Sequence, residues 1–84
     1  GVEAQARQVL QNLAAILKEA GATLQDAVKT TIFLADMGDF AAVNEIYAAA
    51  FGAHKPARVV VPTTALHFGC LVEIEAVAKI KEKK

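Results

Sequence analysis

The spacing of apolar residues switches from a helical period to strict alternation and back again within 84 residues, and that order restricts the fold more than any single residue does. From Val2 to Ala20 the larger apolar residues recur on one helical stripe, Val9, Leu10, Leu13, Leu17 and Ala20, with Gln5, Gln8, Gln11, Lys18 and Glu19 elsewhere. Gly21 stops this helix, because glycine enters the left-handed region at a helix C-terminus without a steric penalty. Thr23-Leu24-Gln25-Asp26 has the form of a short capped turn. From Val28 to Leu34 the period becomes two, with Val28, Thr30, Ile32 and Leu34 on one side and Lys29, Thr31 and Phe33 on the other. β-Branched residues dominate this run, which predicts a strand.

Asp36 and Asp39 precede a second helical pattern, Phe40, Val43, Ile46/Tyr47 and Ala50/Phe51, as acidic residues do at a helix N-terminus. Gly52 and Pro56 end it. Two more strands are predicted, Ala57–Val61 and Leu71–Ile80, joined by a loop from Pro62 to Cys70. In the last strand Val72, Ile74, Ala76 and Ala78 face the helices, whereas Leu71, Glu73, Glu75 and Val77 face water or another subunit. The order α-β-α-β-β describes an α+β domain with two helices on one face of a three-stranded sheet. Such a sheet has open edges.

Hydrophobic residues make up 55% of the chain, above the ordinary range of about 45–50% that already counts glycine. A domain this short buries only about 60% of the surface of its unfolded chain. Burial between subunits reconciles the two. Nine Lys and Arg balance nine Asp and Glu, so no long-range field directs the chain to nucleic acid or to an anionic membrane. The tail Lys79-Ile80-Lys81-Glu82-Lys83-Lys84 is read as a solubilising end. No apolar run reaches the roughly 18–20 residues that span a bilayer. The single Cys70 has no disulfide or zinc-knuckle partner, and a reducing compartment such as the cytoplasm fits it. Gly1 in place of a methionine points to a processed or shortened product.

No nucleotide-binding glycine loop, serine-hydrolase elbow or zinc motif occurs. His54 and His67 lack a third ligand in sequence, so metal binding is disfavoured. Cys70 reads as a small hydrophobe rather than a nucleophile. Arg58 stands apart, because it lies within the apolar run Ala57-Arg58-Val59-Val60-Val61 and a charge there needs an anionic counterpart. Either Glu73 or Glu75 on a neighbouring strand pairs with it, or its planar fork takes a ligand carboxylate through two parallel hydrogen bonds. Spacing alone favours the ion pair. Asn44 fits a surface position or a cleft contact equally.

The run Val28-Lys29-Thr30-Thr31-Ile32-Phe33-Leu34-Ala35-Asp36-Met37-Gly38-Asp39-Phe40-Ala41-Ala42-Val43-Asn44-Glu45-Ile46-Tyr47 closely resembles the central segment of Rid/YjgF proteins. His54-Lys55-Pro56-Ala57-Arg58 and Leu71-Val72-Glu73-Ile74-Glu75-Ala76-Val77-Ala78 resemble two further segments of that family, in the same order. The resemblance spans nearly the whole chain and corresponds to the C-terminal two-thirds of such a subunit. It implies a chorismate-mutase-like α+β fold, assembled as a homotrimer with a cleft at each subunit interface. It also implies hydrolysis of reactive 2-imino and 2-enamino acids, such as 2-aminoacrylate, to 2-keto acids and ammonia without metal or cofactor. On this likeness Arg58 would bind the substrate carboxylate, Glu73, fifteen residues further on, would position or activate water, and Asn44 would lie near the cleft. Where the family usually has Ser-Cys, this chain has Val59-Val60; the ligand contact at Val60 would run through its backbone, and the change marks a subgroup. The family's leading strands, with a cleft tyrosine and a serine/glycine turn, have no counterpart here. Residues 1–84 are therefore expected to form a single, N-terminally truncated Rid-like domain. A non-catalytic carboxylate-binding or assembly protein of the same fold is the alternative, and a ferredoxin-like regulatory module the weaker one.

Overall fold

The computed structural model describes residues 1–80; Lys81, Lys83 and Lys84 of the basic tail lie outside the described residues. Helix α1 (Val2–Glu19) ends at Ala20 and Gly21, and Gly21 takes φ 82°, the left-handed value that its lack of a Cβ permits. Its buried stripe is Val2, Ala6, Leu10 and Leu17. Val9 and Leu13 are half-buried and Ala20 is exposed, so the apolar face is rotated slightly from the one that the spacing predicts. A capping box follows, with the Thr23 hydroxyl accepting from the Gln25 N–H at 3.2 Å and Asp26 accepting from the Thr23 N–H at 2.9 Å.

Strand β1 (Ala27–Leu34) is central, flanked by β2 (Ala57–Pro62) on one side and β3 (Val72–Ala78) on the other. It runs parallel to β2, reached through helix α2 (Phe40–Phe51), and antiparallel to β3. The last strand is shorter than the predicted Leu71–Ile80, and a turn at His67–Gly69 interrupts the loop before it. The alternation in β1 holds from Thr30 to Leu34 but fails at Val28. The pairing steps from Ala27↔Ala78 to Lys29↔Val77, a β-bulge that turns Val28 outward and puts Ala27 in the core. A hydrogen bond of 3.0 Å from the Lys79 N–H to the Asp26 carbonyl closes the sheet just beyond it.

Both helices cover one face of the sheet, and Ile32, Leu34, Val43, Phe51 and Val72 form the centre of the core. Gln5, on the polar side of the predicted helix, accepts the Leu71 N–H at 2.7 Å and ties the start of α1 to the entry of β3. Asp36 caps the turn Met37–Asp39 by accepting from the Gly38 N–H at 2.8 Å, whereas Asp39 makes no side-chain cap bond to α2. Among the described residues, no helix is long and apolar enough to cross a membrane.

One buried polar pair joins sheet to helix: the hydroxyls of Thr30 and Tyr47 lie 2.6 Å apart, and both residues are buried. Tyr47→Phe strands the Thr30 hydroxyl and is expected to cost about 1–3 kcal/mol by chemical denaturation. Thr30→Val with Tyr47→Phe removes both polar groups and is expected to recover much of that loss, a coupling that a double-mutant cycle measures.

Candidate functional site

Residues paired across a ladder share a sheet face, so the register places each candidate residue without ambiguity. Arg58 aligns with Thr30, which aligns in turn with Ala76; this row faces the helices. Glu73 aligns with Phe33 and Val61, and Phe33 stands three residues from Thr30 on the same strand. Glu73 therefore projects from the opposite face, as does Glu75, which aligns with Thr31.

The strand order also removes the ion-pair reading of Arg58. β2 and β3 lie on opposite sides of β1, so Glu73 and Glu75 are on no strand adjacent to Arg58. Nor is Arg58 submerged in an apolar interior: β2 is an edge strand, and Arg58 is exposed on it. Its surroundings come from α2 instead. Arg58 Nη1 donates to Asn44 Oδ1. The guanidinium carbon stands 5.5 Å from the centre of the Phe40 ring and 5.2 Å from that of Tyr47, within the range in which an aromatic face attracts a cation. Phe40, Asn44 and Tyr47 are spaced i, i+4, i+7 on one face of α2. The Tyr47 hydroxyl is engaged by Thr30, which fixes the ring that Arg58 lies against.

This platform orients the guanidinium and leaves part of it unused. Arginine has five N–H donors, and Asn44 takes one bond from Nη1. Among the described residues no carboxylate pairs with Arg58. An oriented cation with spare donors in a fork is suited to a planar anion. Val60 lies two residues along the same edge and is half-buried against the core. An edge strand leaves alternate backbone groups without a ladder partner, and such groups are open to a ligand.

A cavity of about 400 Å³ adjoins Arg58, between α2 and the segment that leads into β2. Asn44, Tyr47, His54, Lys55 and Arg58 are among the residues lining it. A larger cavity, about 660 Å³, lies between α1 and α2 and is lined by Leu10, Ile46 and Ala50 with Arg7 and Glu45; none of the candidate residues borders it. His54 Nε2 is 2.6 Å from the Ala27 carbonyl, which anchors the segment before β2 to the start of β1. Cys70 is half-buried.

Sequence reading brought out Arg58 and Asn44, which the fold joins, and Glu73, which it sets apart from them. It missed Phe40 and Tyr47 as the support of Arg58, having read both only as part of the apolar pattern of the second helix. The signal was present in the polar Asn44 between two aromatics at helical spacing. Lys55 and His54 were also missed as lining residues, because side chains in a connection carry no periodic pattern.

The profile of the family Endoribonuclease L-PSP matches residues 1–80. Among curated relatives, the RutC family protein PH0854 of Pyrococcus horikoshii is 52% identical over 77 residues, which are 92% of this chain and 61% of that protein. The mouse 2-iminobutanoate/2-iminopropanoate deaminase is 51% identical over 78 residues, 93% of this chain and 58% of that protein. The chain thus spans about three-fifths of the length of the curated relatives it matches. Among solved structures, RidA from an Antarctic Psychrobacter superposes with a TM-score of 0.92 at 44% identity, covering 95% of this chain and 65% of that one. Rv2704 of Mycobacterium tuberculosis, a member of the YjgF/YER057c/UK114 family, gives a TM-score of 0.92 at 42% identity over 95% of this chain and 69% of that one.

Proposed function

The chain belongs to the Endoribonuclease L-PSP family, the Rid/YjgF proteins, with their α+β chorismate-mutase-like fold, and from that premise we propose that it hydrolyses 2-imino and 2-enamino acids to 2-oxo acids and ammonia. The observation that carries the reading is the guanidinium of Arg58, oriented by Asn44, Phe40 and Tyr47 and unpaired with any carboxylate of the described residues. The mouse relative named 2-iminobutanoate/2-iminopropanoate deaminase, at 51% identity, supports it.

In this scheme Arg58 takes the substrate carboxylate through the donors that Asn44 leaves available, with the Val60 backbone beside it on the open strand edge. Fixing the carboxylate fixes the imine carbon relative to a water molecule. The water oxygen bonds to that carbon as the C=N π pair moves to nitrogen; one water proton goes to nitrogen directly and the second through an adjacent base, so that C=O forms as the C–N bond breaks and ammonia leaves the 2-oxo acid. Glu73 is the carboxylate proposed to hold and activate the water. The step needs no metal or cofactor.

Because Arg58 and Glu73 project from opposite faces of one sheet, they meet only if Glu73 comes from another copy. The helix-free face supports that arrangement. It carries Phe33, Val59, Val61 and Val77 around the two glutamates, and Val59 and Val77 are 47% and 60% exposed in the single chain. Exposed apolar surface of this kind marks an interface. We assign this face to the assembly of a homotrimer, with one cleft at each subunit boundary and a small imino or oxo acid as its ligand. The single half-buried Cys70 suits a cytoplasmic setting.

The same separation favours a second reading, carboxylate binding without turnover. Turnover distinguishes the two: release of the 2-oxo acid above the uncatalysed rate supports hydrolysis, and tight binding with no added rate supports the alternative. Asn44→Asp offers a sharper check on Arg58. An acidic residue at 44 becomes an ion-pair partner for the guanidinium and competes with the substrate carboxylate. The expected result is a KM raised about tenfold or more, and an unchanged KM would count against Arg58 as the anchor.

A further inference from the structure

The cavity beside Arg58 holds more positive charge than one substrate carboxylate requires. Lys55 and Arg58 both line it, His54 forms part of its wall, and among the described residues no acidic side chain borders it. The chain as a whole is neutral, so this pairing of cations is not the by-product of a basic protein. Lys55 is exposed and has neither a hydrogen bond nor an ion pair among the described residues. Its position is nevertheless set. His54 is anchored to the Ala27 carbonyl, and Pro56 restricts Lys55 to extended backbone. The backbone of Lys55 is then held on both sides while its ammonium is uncompensated.

We infer that Lys55 forms a second anion subsite within the proposed imine site, and that the substrate class comprises imino acids with a second carboxylate at the end of the side chain. This rests on Arg58 being the carboxylate anchor. The two cations differ in a way that suits the division: the arginine fork aligns the carboxylate next to the reacting carbon, whereas the lysine point charge tolerates variation in a distal group. Residues 55 and 58 lie at most about 10–11 Å apart along the backbone, and both long side chains line one cavity. A four- or five-carbon dicarboxylic acid is of the size to lie between their charged ends. A monocarboxylic imine occupies the Arg58 end and leaves Lys55 to water, so such substrates are turned over too, with weaker binding.

The test uses the complete protein and its Lys55→Gln and Lys55→Glu variants. Imines are generated in place from 2-aminobutanoate and from glutamate by an amino-acid oxidase, and 2-oxo acid release is followed. In parallel, calorimetry gives the Kd of 2-oxobutanoate and of 2-oxopentanedioate. The wild type is expected to favour the dicarboxylic member of each pair by about tenfold, in KM and in Kd. Lys55→Gln is expected to collapse that ratio to near one, and Lys55→Glu to invert it. Equal affinity in the wild type, or a preference that survives Lys55→Gln, overturns the inference while leaving hydrolysis at Arg58 intact. If neither imine is hydrolysed faster than in buffer, the hydrolytic reading fails. The calorimetric ratio still decides the subsite: a Lys55-dependent preference upholds it and no preference rejects it.

Discussion

Replacing Arg58 by Ala is expected to lower kcat/KM for 2-imino acid hydrolysis roughly 30- to 1000-fold, the equivalent of about 2–4 kcal/mol for the loss of a charge-assisted carboxylate contact. The size of the effect follows from its surroundings. Phe40, Tyr47 and Asn44 hold the guanidinium in one place, so the substrate does not have to order a free side chain. Arg58→Lys preserves the charge but not the planar fork, and it leaves Asn44 without its partner; its activity is expected nearer to that of the alanine variant than to the wild type. Because Arg58 is exposed on an edge strand, neither change opens a cavity in the core, and only a small loss of stability, about 1 kcal/mol from the contacts with Phe40 and Tyr47, would accompany the kinetic loss. Steady-state assays of oxo acid release make the measurement. Wild-type rates in Arg58→Ala would remove Arg58 from the mechanism.

The largest effect on stability is expected from Phe51→Ala, about 3–5 kcal/mol for truncating a fully buried aromatic ring. Phe51 is 1% exposed at the end of α2. Its ring stacks on Tyr47 with centroids 4.5 Å apart, and its carbonyl accepts from Gln25 Nε2 at 3.1 Å. The side chain thus braces the helix that carries the Arg58 platform. Against a total of about 5–15 kcal/mol for a typical domain, the loss is a large fraction. In a domain of this size it corresponds to a fall in Tm of more than about 10 °C. Phe51→Leu keeps most of the apolar volume and is expected to cost much less. Denaturant unfolding followed by circular dichroism checks both, and an unchanged midpoint for Phe51→Ala would mean that the helix does not depend on this ring.

Much of this fold is legible along the chain because each element is short and its period is clear. The helices, the central strand and the strand carrying Arg58 all follow from spacing, with boundaries displaced by one or two residues. What spacing does not encode is pairing. The bulge that turns Val28 outward arises where β3 meets β1 at Ala27 and Lys29, and nothing in the local pattern of β1 announces it. The position of β3 across β1 from β2 is likewise a property of the assembled sheet. It separates Arg58 from the glutamates that spacing offered as its partners. Gln5 shows the same limit from the polar side: its use, an acceptor for the Leu71 N–H, depends on a residue far along the chain. The resemblance to Rid/YjgF proteins selected Arg58, Asn44 and Glu73. Sheet register then added what the resemblance left open, that one chain presents the first two on one face and the third on the other.

That division makes the mixing of inactive variants the most direct test of a site completed between copies. Arg58→Ala and Glu73→Gln are each expected to abolish most hydrolysis when assayed alone. Unfolded together and refolded as a mixture, equal amounts should yield assemblies in which some clefts join an intact Arg58 from one copy to an intact Glu73 from another. With independent assortment about one cleft in four is intact, and activity should return towards a quarter of the wild-type value. A mixture no more active than the two variants apart would contradict a cleft shared between copies.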